Sequence, residues 1–255
     1  MKVAFATVIL TTGLVAFFLM RANTTKQCKV TAVAATDTTG IVVLELFTSQ
    51  GCSSCPPADA LLEKYSNGNN KNIIPLSFHV DYWNRLGWTD SFSNAAYSRR
   101  QQMYARSMNL SSVYTPQLVI NGQKETVGSN ATAIAAAINS EIKKKPAVSL
   151  HVSNLSVSGN KLSFNCMADG NMEGNEIVAL LVQHSAVTRI AAGENDRATL
   201  TGCNIVRDLV NTDYENSKKI ELVFPRGAIT KSYKLVVMAQ DAATGRINGA
   251  AMYSL

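Results

Sequence analysis

The segment Cys52-Ser53-Ser54-Cys55 lies between a predicted buried strand and a predicted helix, and this order constrains the fold more than any other feature of the chain. Residues 41–47 form a short apolar run rich in β-branched side chains, which is typical of a buried strand. Turn residues follow, and the pattern from Cys52 onward predicts a helix over residues 52–66. Pro56 and Pro57 suit its first turn, because the N–H groups there have no partner within the helix.

The segments that follow continue this alternation of strands and helices. They predict a strand at 73–80, a helix at about 90–109, a strand at 118–120, a hairpin strand at 124–127 and a helix at about 130–144. This order predicts an α/β fold for residues 40–145.

The pattern changes after Pro146. Five alternating strands separated by turn residues are predicted at 149–157, 161–167, 177–182, 220–224 and 234–239. They indicate a second, small all-β domain over residues 146–255, of the sandwich type. Cys166 and Cys203 are its only cysteines, and we predict a structural disulfide between them, the alternative being two separately buried free thiols.

The N-terminal segment, residues 1–39, has the pattern of a signal peptide or membrane anchor followed by a linker. Lys2 precedes an uncharged run over residues 3–20, which is closed by Arg21. The run is long for a signal peptide and short for a membrane span, and residues 32–34 resemble a cleavage site. Either interpretation predicts a periplasmic or secreted protein that contacts the membrane only through this segment. Disulfides persist in such compartments.

Composition and motifs exclude several other classes of function. The formal net charge is +6, but no dense Lys/Arg run with interleaved aromatics is present, so we predict no nucleic-acid partner. The cysteines and histidines do not follow a zinc-site spacing, and neither a P-loop nor a G-x-S-x-G motif occurs. We therefore predict no metal and no cofactor.

The position of the cysteine pair suggests thiol–disulfide chemistry. The nucleophile in such exchange is the thiolate, and a helix N-terminus favours a thiolate through unpaired N–H groups and the positive end of the helix dipole. Cys55 follows one turn later, close enough to attack a mixed disulfide on Cys52. We predict that Cys52 is an acidic, solvent-reachable nucleophile and that Cys55 is a more buried resolving thiol. The alternative is an inert structural disulfide.

A proline supports this site from a distance. Pro116 follows Thr115 just before the strand at 118–120, where a proline would remove a hydrogen-bond donor from the sheet. A cis Thr115–Pro116 peptide would account for it. Taken with the cysteine pair, we predict the cis form, with Pro116 in contact with the Cys52 sulfur.

Several blocks of the sequence resemble a thioredoxin-like family of secreted proteins with no assigned activity, known as domain of unknown function 1223. The blocks are residues 47–59, 78–83 with 86–88, 113–117, and 193–195 with 204–207. Residues 115–133 are also similar to the second half of a thioredoxin. The resemblance implies a thioredoxin-like fold over residues 40–145, Cys52 as nucleophile, Cys55 as resolving thiol, and Thr115 with Pro116 on the substrate side. Gly51 and the Ser-Ser pair depart from thioredoxins and leave the direction of electron flow open.

Three further residues follow the strand at 73–80, at the end of the sheet that borders a ligand crevice in open α/β folds. His79 and Asp81 are candidates for moving protons to and from the cysteine pair. For His79 a buried, internally hydrogen-bonded role is an equal alternative, and for Asp81 a structural role is favoured. Trp83 either walls the cleft or packs in the core.

The sequence thus predicts an extracytoplasmic thiol–disulfide oxidoreductase that acts on proteins or small molecules carrying thiols or disulfides. Two other classes remain open. One is a copper(I)-handling protein with Cys52 and Cys55 as soft ligands. The other is a redox-inert, thioredoxin-fold binding module in which the pair is a fixed staple. A cis Pro116 over the sulfurs argues against the first, and an acidic, exposed Cys52 thiol argues against the second.

Overall fold

The computed structural model describes residues 31–33, 40–214 and 219–255. The predicted signal or anchor segment over residues 3–20 lies outside these ranges. In the part of the chain that is described, no helix has the length and apolar character needed to cross a membrane.

The elements of the first half are β1 (Thr31–Val33), β2 (Val42–Thr48), α1 (Pro56–Ser66), β3 (Ile73–His79), α2 (Ala95–Ser107), β4 (Gln117–Ile120), β5 (Lys124–Val127) and α3 (Ala131–Glu141). From β2 onward they follow the predicted order, whereas residues 31–33, predicted as part of a linker, form a strand that pairs with residues 252–254. The second half consists of β6 (Val148–Ser158), β7 (Lys161–Gly170), β8 (Asn175–Arg189), β9 (Thr199–Asp213), β10 (Lys219–Val223), β11 (Tyr233–Asp241) and β12 (Ile247–Ser254). The chain is therefore a mixed α/β protein.

Nine strands form one large mixed sheet, in the order β1-β12-β11-β8-β9-β3-β2-β4-β5. The strands β2 and β3 are parallel, and β3 also lies parallel to β9 through the pair Ser77 and Ile205. Strands from before and after Pro146 therefore belong to the same sheet, and strand pairing crosses the predicted domain boundary. The sheet joins the two halves.

A second sheet, in the order β10-β7-β6, packs against the large sheet. Its apolar side chains, among them Leu162, Phe164 and Leu222, share a buried cluster with Leu181 of β8 and Leu235 of β11. The small sheet thus covers one face of β8 and β11, and side chains on their opposite face, such as Leu180 and Val236, lie in the cluster that contains α2.

Most side chains of β2 are apolar because both faces of this strand are covered. Val43 and Phe47 pack in the cluster that contains α2. The alternate residues Val42, Leu44 and Leu46 pack in the cluster that contains α1 and α3. Because strand side chains alternate between faces, a strand covered on both sides has no solvent-facing position. The predicted buried strand is confirmed.

One charged pair lies inside this core. Arg100 of α2 donates from Nε to Oε2 of Glu45 in β2 at 2.6 Å and from Nη1 to Gln240 in β11 at 3.0 Å. The Tyr104 hydroxyl donates to Oε1 of Glu45 at 2.5 Å. Burial alone would lower the pKa of Arg100, but the Glu45 carboxylate more than offsets this, so the guanidinium stays charged. The network ties β2 and α2 to a strand of the second half.

The predicted disulfide between Cys166 and Cys203 is wrong. Both residues carry free, buried thiols. Cys166 of β7 packs between the two sheets, whereas Cys203 of β9 packs in the cluster that contains α1 and α3. Burial raises the pKa of each thiol to about 12, and for Cys203 the nearby Asp59 adds to the increase. Such thiols are unreactive at neutral pH.

Candidate functional site

The site begins with a disulfide between Cys52 and Cys55 in the turn that joins β2 to α1. The Cys55 N–H donates to the Cys52 carbonyl at 3.2 Å, and the helix begins at Pro56 with Cys55 at its N-cap. The predicted helix start at Cys52 is therefore about one turn early. The two prolines occupy the first helical positions, where a missing N–H costs nothing.

Neither cysteine is exposed in this oxidised form. Cys52 and Cys55 are both 0% exposed, whereas Ser53 and Ser54 between them face solvent. The prediction of a solvent-reachable Cys52 is thus wrong for the oxidised protein.

The predicted cis peptide between Thr115 and Pro116 is confirmed. The Trp83 indole N–H donates to Thr115 Oγ1 at 2.8 Å, and a Cβ placed on Gly51 would lie 3.4 Å from the Trp83 Cβ. Trp83 therefore spans from the residue before Cys52 to the residue before the proline. It is partly buried against the core on the α2 side, so the predicted packing role is confirmed.

Pro116 lies beside the start of α1. A Cβ placed on Gly128 would lie 3.0 Å from Ala58 Cβ and 3.2 Å from Pro116 Cβ. Only a glycine leaves room for the helix and the proline to approach each other this closely. The cis-proline segment and the cysteine-bearing turn thus form one structural unit.

His79 is buried and paired with an aspartate that the sequence analysis placed only at a helix start. His79 Nδ1 lies 2.6 Å from Asp90 Oδ2, and the same oxygen accepts the Gln50 N–H at 2.8 Å. Burial would raise the pKa of Asp90, but the hydrogen bonds and the charge of His79 lower it overall. Nδ1 therefore faces an ionised carboxylate, while the buried Nε2 has no hydrogen-bond partner among the described residues.

Asp81 makes the structural contacts that were favoured for it. The Ser98 hydroxyl donates to Asp81 Oδ1 at 2.5 Å and accepts the Asp81 N–H at 3.2 Å. These bonds attach the loop after β3 to α2. Asp81 thus anchors the loop, whereas the His79 ring keeps a nitrogen, Nε2, without a partner among the described residues.

Sequence reasoning missed Asp59, which follows Cys55 by one helical turn. Its carboxylate accepts a hydrogen bond from Thr48 Oγ1 at 3.2 Å, and Thr48 pairs with His79 across β2 and β3. Burial raises the pKa of Asp59 to about 7, although the charge of His79 and the Thr48 hydrogen bond oppose the increase. The spacing from Cys55, which places both side chains on one side of the helix, was the available signal.

The loop between β8 and β9, residues 190–198, contacts the cysteine-bearing turn directly. Glu194 Oε2 accepts from Ser53 N–H at 3.0 Å and from Ser53 Oγ at 2.8 Å. The Asn195 amide donates to the carbonyls of Gln50, at 2.9 Å, and Cys52, at 3.0 Å. The hydrogen bonds from Ser53 lower the pKa of Glu194, so it is held as a carboxylate.

These features define a mixed α/β protein with a CxxC disulfide site, bordered by a cis-proline and a buried His–Asp pair. The chain belongs to the family described as "Protein of unknown function (DUF1223)", whose model matches residues 43–240. The resemblance noted from the sequence blocks is thereby confirmed at the level of the family.

Two solved structures are similar to the chain. One is the crystal structure of protein AGR_C_4864 from Agrobacterium tumefaciens, with 29% identity and a TM-score of 0.62 over 84% of this chain and 94% of the other. The other is HBP35 of Porphyromonas gingivalis, with 13% identity and a TM-score of 0.55 over 85% of this chain and 76% of the other. No curated protein matches the sequence.

Proposed function

We propose that this chain is an extracytoplasmic thiol–disulfide exchange protein, built on a thioredoxin-like unit over residues 40–145. The observation that carries the proposal is the Cys52–Cys55 disulfide at the entry to α1, with the cis-proline segment beside the start of that helix. The disulfide is also consistent with a periplasmic or secreted location. Its substrates are proteins or small molecules that carry thiols or disulfides.

The exchange passes two electrons between the cysteine pair and the substrate. In the reducing direction the Cys52 thiolate attacks a substrate disulfide, the substrate S–S bond breaks, and the leaving sulfur takes up a proton. The Cys55 sulfur, after losing its proton, then attacks the mixed disulfide, which releases the second substrate thiol and forms the Cys52–Cys55 bond. The oxidising direction is the reverse of these steps.

We assign Asp59 as the base that removes the proton from the Cys55 thiol. Cys55 is buried, so its thiol needs a nearby base before it can attack the mixed disulfide. The Asp59 carboxyl lies one helical turn away and has a pKa of about 7, close to neutral pH, where a group both accepts and returns a proton. The charge of His79 opposes the increase in the pKa of this carboxyl. Asp90 holds the His79 ring in place through its contact with Nδ1.

One observation favours a second candidate, the redox-inert binding module. Both cysteines are fully buried, as expected for a structural disulfide. Such a disulfide would need neither an acidic thiol nor a titrating carboxyl beside it. Asp59 and the unpaired nitrogen of His79 therefore support the exchange function.

The exchange function is tested with the fully reduced chain and insulin as a protein disulfide. We expect one Cys52–Cys55 disulfide to form for each substrate disulfide reduced, as shown by alkylation of the remaining thiols and peptide mass analysis. The reverse reaction, in which the oxidised chain acts on a reduced unfolded polypeptide, establishes the preferred direction. A cysteine pair that stays unchanged against both substrates would favour the inert module.

The pH dependence of exchange tests Asp59. Because Asp59 has a pKa of about 7, the rate of the step carried out by Cys55 is expected to rise as pH increases from 6 to 8. Asp59→Asn should remove this rise and slow the step at pH 8 by about tenfold or more. Glu63→Gln, one turn further along α1, is the matched control and should keep the wild-type profile.

The same variant has a predicted effect on stability. A carboxyl whose pKa is raised on folding binds protons more tightly in the folded state, so wild-type stability should fall as pH rises from about 4 to about 7. The stability of Asp59→Asn should not show this decrease with rising pH. A variant with an unchanged pH profile of exchange would show that Asp59 does not accept the proton.

A further inference from the structure

The arm formed by β8 and β9 extends beyond the large sheet. Pairing of β8 with β11 ends at Gln183, and β9 pairs with β3 only at Ile205. Within the described part of the chain, the segments 184–189 and 199–204 pair as strands only with each other. The distal arm therefore has no strand neighbour besides its own two segments, although its base is held against α1 by Cys203 and by the hydrogen bond from Asn204 to Ser66.

The tip of this arm, residues 190–198, has a defined shape of its own. Ile190 and Ala198 close it with a hydrogen bond from N–H to carbonyl at 2.8 Å, and the Ala198 N–H donates to the Asn195 carbonyl at 3.0 Å. Ile190 is 1% exposed. The tip is thus a turn whose shape is held by its own hydrogen bonds, with Ile190 buried at its base.

The tip fits closely against the loop after β3 as well as against the cysteine-bearing turn. Gly193 has φ +77, and a Cβ placed on it would lie 3.1 Å from the Trp88 Cβ. The conformation and the contact both require glycine at this position. The Trp88 indole N–H in turn donates to the Gln50 side chain at 3.1 Å, so the same surface supports the turn before Cys52.

The groups that the tip occupies have the pattern of a peptide-binding edge. Asn195 donates to two backbone carbonyls, those of Gln50 and Cys52, and Glu194 accepts from the Ser53 N–H. An extended polypeptide backbone offers the same donors and acceptors and docks on such edges through main-chain hydrogen bonds. A substrate polypeptide and the tip would therefore compete for the same groups.

We propose that residues 190–198 are a built-in cover of the cysteine pair, which a polypeptide substrate displaces when it docks on the edge formed by Gln50, Cys52 and Ser53. The docking step rests on the proposed exchange function, whereas the covering of the disulfide does not. While the cover is closed, both cysteines are inaccessible, as the structure shows them. Exchange then proceeds only from the open form.

The test measures how fast a water-soluble phosphine reduces the Cys52–Cys55 disulfide in the full chain. Glu194→Ala/Asn195→Ala removes all four hydrogen bonds by which these two side chains hold the turn. We expect reduction at least about tenfold faster than in the wild type, because tenfold corresponds to only about 1.4 kcal/mol and four hydrogen bonds are lost together. Asp196→Ala, an exposed change in the same tip, should leave the rate unchanged.

A second variant guards against a general loss of structure. Asn195→Asp keeps the side-chain shape but places a carboxylate against two carbonyl oxygens, so it should also accelerate reduction. Circular dichroism and thermal unfolding verify that each variant is folded. Phosphine rates within twofold of the wild type for both variants would overturn the cover.

Exchange with a reduced unfolded polypeptide separates this inference from the proposed function. Acceleration of both phosphine reduction and polypeptide exchange in the double variant supports the cover and its place on the docking edge. Faster phosphine reduction with slower or unchanged polypeptide exchange would overturn the docking edge. Faster phosphine reduction without polypeptide exchange in any variant would contradict the exchange function and leave the cover supported.

Discussion

Arg100→Met is expected to destabilise the protein by about 3–5 kcal/mol, because it leaves the Glu45 carboxylate buried without its cation. Both side chains are almost completely inaccessible, at 5% and 0% exposure, and the guanidinium donates to both carboxylate oxygens. Thermal unfolding should occur roughly 10 °C lower, given about 2–4 °C for each kcal/mol in a chain of this size.

The neighbouring Arg99 provides the matched control. It lies on the exposed side of the same helix, so Arg99→Met should change stability by less than about 0.5 kcal/mol. Glu45→Met/Arg100→Met removes both charges together and should be less destabilised than Arg100→Met alone. A single Arg100→Met variant as stable as the Arg99→Met control would show that the buried pair does not contribute to the stability of the core.

The two cysteines are expected to differ in what their loss does to exchange. Cys52→Ser should reduce the exchange rate by roughly three orders of magnitude or more, because it removes the nucleophile itself. Cys55→Ala should block turnover but leave the first attack intact, so that a mixed disulfide persists on Cys52. The buried thiols Cys166 and Cys203, whose pKa values are raised to about 12, should not replace either residue.

The local elements of the first half were predictable because neighbouring residues determine them. The apolar run of β2, the prolines that open α1 and the proline before β4 each carry their signal within a few positions. Helix α1 starts later than predicted because a separate turn, closed by the disulfide, precedes the prolines.

The features that were missed depend on contacts between distant parts of the chain. Cys52 is buried in a turn that Glu194 contacts through Ser53, 141 positions earlier in the sequence. In the sequence, Asp59 and Asp90 cannot be told apart from solvated residues or helix caps. Their roles become visible only when their contacts with Thr48 of β2 and His79 of β3 are known. The prediction of a Cys166–Cys203 disulfide was wrong for the same reason. A count of cysteines does not reveal that each of these two lies in a different core cluster.

The most direct test of the exchange function is to trap the mixed disulfide on reduced Cys55→Ala with insulin as the substrate. We predict a covalent adduct that dithiothreitol reverses and that peptide mass analysis locates on Cys52. Cys52→Ala/Cys55→Ala, treated identically, should form none. Absence of an adduct on Cys52, or equal modification of the other cysteines, would contradict the assignment of this site to thiol–disulfide exchange.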